Sequence, residues 1–135
     1  MAETKFYTQA VLLKCREATD IIAEEVAFAV EGEAKANIVD NDQIDTGFML
    51  NSVYAVTRSG SDYGSAQGAA NSRNPDAEMG AEFNLSGDVK AAVVVGAEYA
   101  VYQEEKNSFL FKAGETVSRH LGGIVEKVGR EVITE

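Results

Sequence analysis

The chain has 135 residues, enough for one domain with a two-layer core, and a formal net charge of -10 from 22 acidic and 12 basic residues. That balance argues against wrapping nucleic acid or adhering to an anionic membrane, since both need clustered Lys and Arg. Cys15 is the only cysteine, which excludes an intramolecular disulfide and a cysteine-based zinc site.

The first residues lack the apolar core of a signal peptide, and no run nears the ~20 apolar residues of a membrane span. Synthesis and retention in the cytoplasm are therefore expected. From about 8 to 39 the pattern is helical, with Val11, Cys15, Ala18, Ile22, Val26 and Ala29 forming one apolar stripe. Ile21, Phe28 and Val39 fall on a second flank, to be covered either by the C-terminal helix or by a neighbouring subunit. The polar connector 40–45 resembles a calcium loop only superficially. Ile44, Asp45 and Asn51 stand where an oxygen ligand, a glycine and a closing glutamate belong.

Residues 45–53 read as a corner from helix to sheet. Asp45 and Thr46 are capping types, Gly47 permits an unusual φ, Phe48, Met49 and Leu50 form one apolar turn, and Ser52 and Val53 enter extended chain. Residues 53–58 alternate as a strand. The Gly- and Ser-rich stretch 59–76 predicts a long mobile loop. Residues 77–85 lean towards a strand, with Pro75 leaving a helix open, and Ser86-Gly87-Asp88 suits a hairpin turn. Residues 89–96 are the clearest strand, their unbroken apolar run suggesting burial on both faces. A helical turn over 97–104 and a helix over about 109–132, weakened at Gly122-Gly123, complete the chain. The predicted fold class is α+β: a long N-terminal and a C-terminal helix on a small, mainly antiparallel sheet of 3–4 strands.

Chemistry-bearing motifs are absent from the sequence. His120, the only histidine, has no nucleophile or acid at motif spacing. Glu24-Glu25 and Glu104-Glu105 are adjacent only in sequence, and Gly60 to Gly64 lacks the lysine of a phosphate loop. No catalytic, cofactor or metal residue is assigned, and no enzymatic activity is expected.

Three clusters occur in order. The first is Asp45-Thr46-Gly47 with Met49, Ser52 and Val53. The second is Val95-Gly96 followed by Tyr99-Ala100, Tyr102 and Glu104, and the third is Phe109-Leu110 with Ala113. Together they resemble the tail-completion and head–tail joining (tail terminator-like) proteins of long-tailed bacteriophages, whose members share a D-T-G-x-L-R-x-S-[IV] corner, a Y-A-x-Y-x-E turn and a P-F-L-x-P-A helix start. Leu50 stands where that pattern has arginine, and Ser108 and Lys112 replace its two prolines. The resemblance implies a virion protein forming a ring, most often a hexamer, at the head–tail junction. Its partners would be the tail-tube protein and the head connector or head-completion protein, with DNA passing through unbound. Ile21, Phe28, Glu104 and Glu105 are then candidates for subunit or lumen contacts, with Asp88 and the acidic residues of 59–82 also possible at the lumen. The competing reading is an acidic protein-binding module that mimics DNA towards a basic partner.

Overall fold

The computed structural model describes the backbone of residues 2–43 and 46–133 and the side chains of residues 17–43 and 46–132. It is an α+β domain. A long helix, α1 (Ala2–Asp40), leads into the single-turn α2 (Phe48–Asn51) and strand β1 (Val53–Thr57). The short β2 (Gly60–Ser61), α3 (Tyr63–Arg73) and β3 (Ala91–Val95) follow, and α4 (Ala100–Lys106), α5 (Leu110–Arg119) and α6 (Leu121–Ile133) close the chain. Among the described residues no helix is long and apolar enough to cross a membrane.

The sheet has the order β2-β1-β3, antiparallel throughout, with Val53 opposite Val95 and Thr57 opposite Ala91. All five residues of β1 are buried, as a central strand covered on both faces requires. β3 is an edge strand and only half-buried, so the unbroken Ala91–Val95 run does not mark the doubly covered strand expected from it. The apolar run sits instead beside a groove.

Against the sheet, α1 turns Ala27, Ala34 and Ile38 inward, with Val30 partly buried beside them. Of the predicted stripe Ala18 is buried, but Ile22, Val26 and Ala29 are only half-buried, so the buried line rotates away from it, while Val11 and Cys15 lie outside the described side chains. Ala27 and Ala34 have no side chain beyond Cβ, so helix and strand approach closely there.

The stretch 59–76, expected as a mobile loop, instead holds β2 and an eleven-residue helix. Its core-facing residues are Ala66 and Ala70, four apart and buried. Alanine is the best helix former, so the glycines at 64 and 68 are tolerated on the exposed side. Residues 77–85 do not form the strand expected of them. A single bridge pairs Met79 with Ala97, the Gly80 N–H donates to the Gly96 carbonyl (2.9 Å), and 81–85 carry no regular structure. Tyr54, buried in β1, holds this segment by accepting the Phe83 N–H (3.1 Å), and the Tyr63 hydroxyl donates to the Gly80 carbonyl (3.0 Å). The two tyrosine rings meet edge to face at 5.4 Å.

The single C-terminal helix expected over 109–132 is two helices, divided at His120. The His120 carbonyl accepts from Gly123 and Ile124, so the second helix starts there, one turn before the glycine pair completes. Ala113 and Val117 of α5 and Val128 of α6 are buried, and both helices pack along α1. They do not cover its second flank: Phe28 remains 48% exposed and Val39 is exposed too, while Ile21 is half-buried.

Candidate functional site

The corner is distant in sequence from the turn and the helix start, which follow one another along the chain, and all three form one joint in space. At the corner, Gly47 has φ +88°, a left-handed conformation that any side chain would strain. The Phe48 N–H donates to Thr46 Oγ1 (3.2 Å), so Thr46 caps the turn as its type suggests. Asp45 lies outside the described residues. Asn51 closes the turn by donating through Nδ2 to the Gly47 carbonyl (2.7 Å), and Phe48 and Met49 are buried beneath it.

Ser52 carries the corner to the second cluster. Its hydroxyl is fully buried, donates to the Met49 carbonyl (2.8 Å) and accepts the Ala97 N–H (3.1 Å). Its carbonyl accepts the Gly96 N–H (2.9 Å), which extends the β1–β3 ladder one residue beyond Val53. Gly96 has no room for a side chain, because a Cβ there would lie 3.0 Å from Met79 Cγ and closer still to its terminal methyl.

From this point the chain turns through Tyr99 into α4. Ala100 is buried, whereas Tyr102 is 68% exposed. Glu104 then reaches forward to the start of α5. Its carboxylate accepts from Ser108 Oγ (2.7 Å) and from the backbone N–H groups of Phe109 (3.1 Å), Leu110 (2.9 Å) and Phe111 (3.1 Å). The first N–H groups of a helix lack intrahelical partners and carry the positive end of its dipole, so a carboxylate from the preceding helix serves as a remote cap. Burial pushes the Glu104 carboxyl upward, but the four hydrogen bonds together outweigh it and hold the group below its usual range.

The third cluster completes the joint. Phe109 and Ala113 are buried and Leu110 partly so. The end of α1 ties them down through three amide side chains: Asn37 donates to the Phe109 carbonyl (3.0 Å), Asn41 to that of Ser108 (3.3 Å) and Gln43 to that of Gln103 (2.8 Å). Asn37 and Asn41 are one helical turn apart on the face that meets α5, a spacing that the sequence displays but that carries no motif of its own.

The joint is therefore a hydrogen-bonded brace. Thr46, Gly47, Met49, Ser52, Ala100, Glu104, Phe109, Leu110 and Ala113 belong to it or pack on it, whereas Tyr99 and Tyr102 are exposed at its side. Of the proposed contact residues, Ile21 and Phe28 lie away on α1, Glu104 faces the α5 start, and Glu105 is exposed. Leu50 is half-buried against the core, where the arginine of the resembled pattern would have to find a polar partner. Beside the brace, Val101, Tyr102 and Phe111 form exposed apolar surface on α4 and α5, Phe111 being 69% exposed. His120 is exposed at the α5–α6 break. Among the described residues no three His, Cys, Asp or Glu side chains stand together closely enough to hold a metal ion.

Comparison of the chain with protein-family models, with characterised proteins and with solved structures finds no match.

Proposed function

We propose that the chain is a structural protein of a tailed-bacteriophage virion, forming a ring at the head–tail junction that ends the tail tube or joins the tail to the head connector. The observation that carries this reading is the convergence of the three resembling clusters on one brace. Residues 46–53, 96–104 and 108–113 bond to one another through Ser52, Glu104 and the amides at the end of α1. The surface offers further support. An edge strand lies open at β3, and apolar side chains at Phe28, Val101, Tyr102 and Phe111 face outward on a chain with no membrane-spanning helix among its described residues. A ring buries such features by repeating one contact until it closes. The high acidic charge suits a channel wall, since like charge keeps DNA from adhering in transit.

The test is assembly. Purified chain should sediment as a ring, alone or on mixing with tail-tube or connector protein, and a chain that stays monomeric with both refutes the reading. Negative-stain images of particles made without it then separate the two roles. Overlong tubes indicate a terminator, and normal tails detached from filled heads indicate a joining protein.

A further inference from the structure

A groove of about 620 Å³ runs along β3 on the side of α1, with Val26, Ala27 and Val30 on one wall and Val93 and Leu110 on the other. The ladder fixes which β3 groups face outward. Gly96 donates to Ser52, so the alternate residues Val94 and Ala92 bond to β1, and Ala91, Val93 and Val95 direct their N–H and C=O groups away from the sheet. This free edge is five residues long and flanked by apolar surface, the arrangement that accepts an added strand. The groove is nearly neutral in an acidic chain. Asp88 and Lys90 are its only charged lining residues, and Lys90 already bonds Asp20 at 2.6 Å.

The chain also carries a matching segment. Residues 81–85 are five long, alternate Ala81, Phe83 and Leu85 with Glu82 and Asn84, and have no regular structure. Phe83 is 42% exposed, and the backbone N–H groups of 81, 82, 84 and 85 make no hydrogen bond to another described residue. Among the described residues, only the Phe83 N–H, bonded to the Tyr54 hydroxyl, and the partly buried Leu85 tie the segment to its own chain. An exposed phenylalanine on a β-patterned segment outside any ladder is what an apolar edge groove recognises.

We propose that residues 81–85 of one copy add as a strand to the outer edge of β3 of the next copy, with Phe83 seated in the groove between Val26, Val30 and Leu110. The contact joins two different surfaces, so it propagates head to tail, the type of contact from which a closed ring is built. With one acidic residue on the segment and a balanced groove, it brings two copies of a chain of net charge -10 together where repulsion is least. The inference rests on the ring reading above and specifies its interface.

The experiment pairs Phe83→Cys and Val26→Cys in one chain, in a Cys15→Ser background, oxidised at assembly concentration. The expected result is a ladder of covalent species from dimer up to the ring, absent from either single-cysteine chain. Val93→Pro removes an outward N–H without touching the β1 ladder, and Phe83→Asp places a charge in the groove. Each should weaken self-association at least about tenfold in a chain that still melts cooperatively as a folded monomer. Rings that form normally in both variants, without cross-linking, overturn this contact and leave the ring reading standing. Covalent dimers that never extend overturn it in favour of a twofold pair. A chain that is monomeric with every partner overturns both.

Discussion

Glu104 offers the sharpest test of the brace. Replacing it by alanine removes one acceptor from Ser108 and from three N–H groups at the start of α5. Losing a helix cap costs about 0.5–2 kcal/mol, and losing a negative charge at a helix N-terminus costs about 0.3–1 kcal/mol more. Because Phe111 is exposed, water replaces part of the bonding there, so the sum expected for Glu104→Ala is about 2 kcal/mol. For a domain of this size that lowers the thermal midpoint by about 6–8 °C. Glu104→Gln keeps one acceptor oxygen and should lose about half as much. The pH dependence is the discriminating readout. The folded carboxyl titrates below its ordinary 4.5, so the folded state holds fewer protons than the unfolded one in the interval between the two values. The stabilisation is therefore complete above pH 4.5 and disappears as pH falls through the folded value. Calorimetric melts of parent and Glu104→Gln should differ most at pH 7 and converge below pH 4.5. A gap that is constant from pH 7 to pH 3, or a midpoint for Glu104→Ala within 1 °C of the parent, refutes the remote cap.

Three further substitutions test the rest of the joint. Gly47→Val should cost about 1–3 kcal/mol in a denaturant titration, because φ +88° is strained for a β-branched residue and the new atoms meet Arg73 Cγ at 3.4 Å. Ser52→Ala strands the buried Ala97 N–H and should cost about 1–3 kcal/mol, whereas Ser52→Thr retains the hydroxyl and should lose less only if its methyl finds room. Gly96→Ala overpacks against Met79 and should cost about 1–3 kcal/mol. Met79→Ala in the same chain should recover part of that loss, and strict additivity in the double-mutant cycle would mean the two do not touch.

What the sequence displays and what it hides follow from how each element earns its stability. β1 and α1 are legible because Val53, Tyr54, Val56 and Thr57 crowd β-forming residues into one and apolar residues recur at helical spacing in the other. The corner is legible because Gly47 and Thr46 are local devices: a positive φ and a cap need only their immediate neighbours. By contrast, α3 has no bulky apolar residue after Tyr63, and its core face is Ala66 and Ala70, so composition suggests a loop where tertiary packing makes a helix. The opposite error occurs over 77–85, where alternation suggests a strand but the two tyrosine hydroxyls hold the segment by single bonds instead of a ladder. Burial of β3 is misjudged for a related reason: Ala91–Val95 is apolar enough for a central strand, yet among the described residues no second strand lies outside it. Within the candidate site, the role of Glu104 was not readable from Tyr-Ala-x-Tyr-x-Glu, since its four donors lie four to seven residues ahead in the next helix. Asn37, Asn41 and Gln43 were invisible as anchors because their acceptors are backbone carbonyls 60 to 72 residues away.

The position of β1 also bears on how the protein is made. Its flanking strand β3 begins 34 residues after β1 ends, and one covering layer comes from α3 and the segment after it. A chain emerging from the ribosome can form α1 alone, but Val53–Thr57 must wait for residue 95 before its ladder closes. During that interval a five-residue stretch of strong β-formers with no charge stands exposed. The predicted weak point in expression is therefore the nascent chain between residues 57 and 95. Stalling or truncation there should drive the product into aggregates, whereas release of the full chain should not.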